Sequence, residues 1–107
     1  MNDEAGVVMI SAPPPAGESL ARILVERRAA ACVQIIPSVL SIYRWEGAVH
    51  TDEEALLVVK TLKSKLPAIQ AILKENHPYE LPELVFLPVT DGRKEYLGWI
   101  RDSVGLS

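Results

Sequence analysis

The stretch ACVQIIPSVLSIYRWEGAVHTDEEALLVVKTLK, residues 31–63, decides how this chain folds. It reads as two strands, Cys32–Glu46 and Val49–Leu62, joined at Glu46-Gly47-Ala48. Val, Ile, Tyr, Trp and Thr recur along both, the residues a pleated surface accommodates best. Gly47 supplies the positive φ that a tight hairpin turn demands. A strand of about 15 residues at ~3.3 Å each reaches ~50 Å. A compact domain of this length has a radius of gyration of ~13 Å and spans roughly 35 Å. The hairpin therefore overreaches its own core unless Pro37-Ser38 folds it back. The expectation is an arm that packs on other copies of the chain.

Outside the hairpin the pattern is compact. The 107 residues suffice for one core, so a single domain over 1–107 is expected. Val7–Ile10 is a short apolar run, read as a strand buried on both faces. Gly17 to Arg28 carries Leu20, Ile23, Leu24 and Arg27 at helical spacing, after the stop at Pro13-Pro14-Pro15. A second helix is predicted over Lys65 to Asn76, with Ser64 as its N-cap and Leu66, Ile69, Ile72 and Leu73 inward. Pro78 stops it. Leu84–Leu87 is another apolar strand. Asp91 is a candidate cap for a last helix over Lys94 to Ser103, with Tyr96, Leu97, Ile100 and Val104 inward. The order β-α-β-β-α-β-α contains the split βαβ, an α+β ferredoxin-like sandwich.

Consecutive apolar residues such as Leu56-Leu57-Val58-Val59 place apolar side chains on both faces of the sheet. Two helices cover one face, and the short last helix is too small for all of the other. Such a surplus marks an interface, so an oligomer is expected. The net charge of −3 argues against nucleic acid as the main partner. No apolar run approaches the ~20 residues of a membrane span. The acidic start Met1-Asn2-Asp3-Glu4 shows no signal-peptide pattern, and the only cysteine, Cys32, rules out an internal disulfide framework. A reducing, cytoplasmic location is the expectation.

Several stretches together are similar to one family: Ala31-Cys32-Val33-Gln34-Ile35-Ile36-Pro37, Ser41-Ile42-Tyr43-Arg44-Trp45-Glu46-Gly47, Leu57-Val58-Val59-Lys60-Thr61, His77-Pro78-Tyr79-Glu80-Leu81-Pro82-Glu83 and Tyr96-Leu97-Gly98-Trp99-Ile100. They resemble the CutA family of divalent-cation tolerance proteins, over roughly Val7 to Val104. The resemblance implies a ferredoxin-like protomer in a tight homotrimer whose hairpins wrap neighbouring subunits, like the PII signalling proteins. It implies an association with copper and other divalent metals, and no defined enzymatic reaction. In copper-binding bacterial relatives it implies ligands at a Cys ending the first strand and at two consecutive His before the Pro-Tyr. The matching positions here carry Ser11, Asn76 and His77. Ser11 and Asn76 are poor ligands for a soft or borderline metal, so only His77 keeps a ligand-type side chain.

Residue chemistry adds the remaining candidates. The loop His77–Glu83 offers an imidazole, a phenol and two carboxylates, stiffened by Pro78 and Pro82. His77 is the candidate metal ligand, for copper or zinc; its alternative role is to cap the preceding helix. Lys60 interrupts an apolar run and should seek a carboxylate, Glu80 or Glu83, or an anion. Cys32 is a small buried hydrophobe or a soft ligand at a subunit junction. Tyr43 and Trp45, two apart, share a face and either fill an interface or stack on a ligand. His50, Asp52, Glu53 and Glu54 read as a solvated acidic face that attracts cations weakly. Cys32, Tyr43, Trp45, Lys60, Tyr79, Glu80 and Glu83 thus form the candidate ligand cleft. The first functional reading is a non-enzymatic homotrimer that binds divalent metal. The second is a PII-like signalling trimer that binds a small anionic metabolite between subunits. An enzyme using His77 with Glu80 or Glu83 as acid and base ranks below both, for want of a positioned partner. No organic cofactor is expected.

Overall fold

A computed structural model describes residues 3–105. The first and last two residues of the expected 1–107 domain, Met1 and Asn2 of the acidic start among them, lie outside that range. The elements are β1 (Ala5–Ala12), α1 (Gly17–Glu26), β2 (Cys32–Trp45), β3 (Ala48–Leu62), α2 (Leu66–Asn76), β4 (Val85–Pro88) and α3 (Lys94–Val104). Short 3-10 turns precede α1 and α2. The strands form one antiparallel sheet in the order β2-β3-β1-β4. This is the ferredoxin-like α+β arrangement that the element order predicts.

Alternation along the strands divides the sheet into two faces. Val8, Ile10, Leu57, Val59 and Thr61 are fully buried beneath α1 and α2, packed on Leu20, Leu24, Ile69, Ile72 and Leu73. Thr61 donates its hydroxyl to the Ala29 carbonyl at 2.6 Å, which satisfies a polar group inside that core. Gly6 is required on this face, because a Cβ there would lie 2.3 Å from the Phe86 ring and 2.8 Å from the Leu87 carbonyl. The opposite face is covered by a helix at one end only. There Ala5, Ala31 and Leu62 pack under Ile100 and Val104 of α3. Beyond α3, Val85 and Leu87 stay about half exposed, and Val7, Met9, Leu56 and Val58 are partly exposed.

The hairpin does not fold back at Pro37-Ser38. Ile36 pairs with Leu56 and the next pair is Val39 with Glu54, so Pro37 and Ser38 oppose Ala55 alone. This is a β-bulge, and it accommodates a proline that has no N–H for the ladder. The strands run on to a two-residue turn with φ of 50° at Glu46 and 80° at Gly47. Both values are positive, as in the turn that best matches strand twist. The molecule is consequently elongated, 44 × 26 × 23 Å.

Both expected helix caps differ from the structure. Ser64 belongs to the 3-10 turn ahead of α2 and bonds the Asp3 carboxylate instead. Asp91 accepts the N–H of Gly92, and α3 starts three residues after it, at Lys94, with Arg93 in the cap position. Tyr96, expected to point inward, is only partly covered: it is 42% exposed, its ring lies against Trp99 at 5.5 Å, and its hydroxyl reaches Cys32 at the root of the hairpin. Its neighbour Leu97 packs with Ile100 and Val104.

Candidate functional site

The candidate residues fall into two groups along the incompletely covered face of the hairpin. The first lies at its root. Cys32 and Lys60 are cross-strand partners. The Cys32 thiol is 3.7 Å from the Tyr96 hydroxyl, a contact that together with partial burial raises the Tyr96 pKa. Lys60 donates to the Gln34 side-chain carbonyl, a neutral partner in place of the expected Glu80 or Glu83. Among the described residues neither glutamate forms an ion pair.

The second group begins six residues further along β3, ~20 Å away. His77 ends α2 and is buried. One ring nitrogen, Nε2, lies 2.7 Å from the Ser11 carbonyl, and the other, Nδ1, accepts the Tyr79 N–H at 3.1 Å. A carbonyl can only accept and an N–H can only donate, so Nε2 carries the proton and the ring is neutral. These bonds turn the loop back on itself and send the Tyr79 side chain across to β3. Its hydroxyl donates to Glu54 at 2.7 Å. Burial first, then that bond to a carboxylate, pushes the Tyr79 pKa well up. Glu54 is only 7% exposed. The expected solvated acidic face therefore stops short of it. Glu54 continues the Leu56–Val58–Lys60 series on the sheet face that the loop covers, and that parity is the signal in the sequence that reveals it.

Next along the same face, Tyr43 donates to Asp52 and stacks on His50 at 5.6 Å. The bond to Asp52 is the main cause of its raised pKa. The bulge creates this arrangement. Before it, the even-numbered residues of β2 share a face with the even-numbered residues of β3. After it, Val39, Ser41, Tyr43 and Trp45 do. Trp45 is paired with Ala48 and remains 38% exposed. Glu80 and Glu83 lie exposed on the loop.

The structure thus brings together Ser11, His77, Tyr79 and Glu54, and separately Cys32, Lys60 and Tyr96. Asn76 bonds back to the Ile72 carbonyl on its own helix. Among the described residues no group of three His, Cys, Asp or Glu side chains is placed to hold a metal ion. Within one chain the donors do not make a preformed metal centre. A metal at His77 must displace one of its two hydrogen bonds. No described helix is long and apolar enough to cross a membrane.

A ferredoxin-like sheet with a hairpin arm, a half-covered apolar face and a proline-bounded loop latched onto that face defines the class of protein. Comparison with known proteins then supplies the family. The family model described as CutA1 divalent ion tolerance protein matches residues 6–103. The "Divalent-cation tolerance protein CutA" of Thermus thermophilus is 46% identical over 100 residues, covering 92% of this chain and 97% of that one. The crystal structure of CutA1 from Oryza sativa superposes with a TM-score of 0.92 at 41% identity, over 97% of this chain and 96% of that one. The "PII-like protein CutA" from Nostoc sp. PCC 7120 gives 0.87 at 34% identity, over 95% and 99% of the two chains. This chain belongs to the CutA1 divalent ion tolerance family.

Proposed function

We propose that the protein is a cytoplasmic homotrimer that binds divalent metal ions, copper or zinc, and contributes to tolerance of them by binding and not by turnover. The observation that carries this reading is the mismatch between the sheet and its cover. Val85 and Leu87 on one face, and Leu40, Ile42 and Val49 on the arm, are 47–70% exposed in a single chain. Burying apolar area at ~25 cal/mol per Å² drives association strongly. An arm that leaves its own core has its natural place against a neighbour.

Association also answers the shortage of ligands. His77 supplies nitrogen once its Nδ1 gives up the Tyr79 N–H, Glu80 and Glu83 supply oxygen, and a neighbouring subunit's hairpin completes the set. The test combines sedimentation with calorimetric titration of Cu²⁺ and Zn²⁺. Three chain masses are expected, with saturable binding that His77→Ala weakens. Unchanged binding in that variant removes His77 from the site, and a stable monomer at micromolar concentration ends the reading.

Lys60 favours a second reading, a PII-like trimer that binds a small anionic metabolite. Its ammonium is held by neutral Gln34, and among the described residues no carboxylate pairs with it. A thermal-shift screen of nucleotides and organic acids tests this, because a ligand of the native state raises the midpoint. Lys60→Gln should abolish the shift.

A further inference from the structure

A groove of about 410 Å³ lies between α2 and the loop that follows it. It is formed by residues of a single chain. Leu73, Pro82 and Leu84 are its apolar lining residues, Tyr79 borders it, and Gln70, Lys74 and Glu80 are its polar ones. The lining is fixed in place. Leu73 is buried under α2, Pro82 stiffens the loop, and Tyr79 is anchored at its far end by Glu54. The rim is unoccupied by the chain's own chemistry. Among the described residues Lys74 and Glu80 form no ion pair with each other or with anything else, and Gln70 makes no side-chain bond. The ammonium and carboxylate are therefore more than 4.0 Å apart.

We propose that this groove binds a free α-amino acid with an apolar side chain. The charges decide the class. A carboxylate ligand alone meets Lys74 but is repelled by Glu80, and an amine alone has the reverse problem. A zwitterion satisfies both, through charge-assisted bonds of ~2.8 Å on either side. The Gln70 amide can donate to the ligand carboxylate or accept from its ammonium. The apolar side chain lies on Leu73, Pro82 and Leu84. A concave apolar floor with a few convergent polar groups is the usual build of a small-molecule site. Glu80 is the one residue this groove shares with the proposed metal site; the ligand's contacts from Lys74, Leu73 and Leu84 depend neither on that metal nor on the intersubunit anion.

The experiment titrates L-leucine into the assembled, isotope-labelled protein and follows backbone amide shifts alongside calorimetry. Saturable binding is expected, with shifts concentrated in residues 70–84. Glycine, isocaproate and isoamylamine, which lack the side chain, the ammonium and the carboxylate in turn, should each bind about tenfold more weakly or worse. Lys74→Met and Glu80→Gln should each weaken leucine by about tenfold or more. Both residues are exposed, and an unchanged thermal midpoint without ligand will show that the variants fold. The proposal is overturned by absence of saturation at millimolar leucine, by shifts that map elsewhere, or by isocaproate or isoamylamine binding as tightly as leucine.

Discussion

The two halves of the long hairpin are made of similar residues and live in different environments. In the root, Leu57, Val59 and Thr61 are wholly buried between the sheet's neighbours and the helices. In the arm, Leu40, Ile42 and Val49 are 70%, 67% and 63% exposed. The root is flanked by β1 on one side and by β2 on the other, whereas the arm strands have only each other. A lone two-stranded ribbon is marginal in water. The contrast teaches that β propensity sets the conformation of both halves, and that only a third surface determines whether the apolar residues are hidden. The bulge at Pro37-Ser38 marks the boundary.

The sharpest way to break the comparison is to remove the same kind of group from each half. Leu57→Ala should cost about 2–5 kcal/mol in denaturant unfolding, from lost burial plus the cavity left behind. Ile42→Ala in the dissociated chain should change stability by no more than about 0.5 kcal/mol. In the assembled protein the same variant should instead raise the dissociation constant. An arm variant as costly as the root variant in isolated chains would erase the distinction. Gly6→Ala tests the root differently: the added methyl meets Phe86 and a backbone carbonyl, and a loss of about 1–3 kcal/mol is expected.

The latch between loop and arm base comes next. Tyr79→Phe leaves Glu54 buried without its donor and should cost about 1–3 kcal/mol, read by the denaturation midpoint. It also has a pH signature. The folded Tyr79 holds its proton more tightly than the ordinary tyrosine value of 10.0. The unfolded chain loses that proton first as pH rises. The contribution to stability is therefore complete below pH ~10 and is lost as pH climbs through the folded pKa. Tyr79→Phe should flatten the alkaline fall in stability, and an unchanged slope would show that Tyr79 does not contribute to it. The smallest effect belongs to the tip of the arm. Glu46 has a φ of 50°, a conformation that asparagine tolerates better. Glu46→Asn should stabilise by less than about 1 kcal/mol, seen as a small rise in midpoint.

The candidate site was only partly legible in advance. His77 and Tyr79 were identifiable from residue type and loop stiffness, but their roles were not. The sequence cannot show that both nitrogens of His77 are taken, because one partner is the carbonyl of Ser11, 66 residues earlier. Lys60 was expected to meet a carboxylate and found Gln34, whose closeness depends on strand register. Glu54 was grouped with its acidic neighbours, although the parity of β3 already set it on the face of Leu56 and Val58.

What residue order determined by itself is local: strand and helix periodicity, the turn at Gly47, the stop at Pro78 and the excess length of the hairpin. These follow from backbone sterics and from the alternation of apolar groups, which act within a few residues. Tertiary structure alone decided which face each arm residue of β2 occupies and which polar groups meet. A single bulge at Pro37-Ser38 changes the parity of everything beyond it in β2, and it carries Tyr43 and Trp45 to the face of Asp52 and Glu54. The helix caps went the same way: Ser64 and Asp91 had local roles available, and more favourable partners in the folded chain took Ser64. Pairing across the fold overrides a local preference worth about 1 kcal/mol whenever it satisfies a polar group that folding would otherwise leave without a partner.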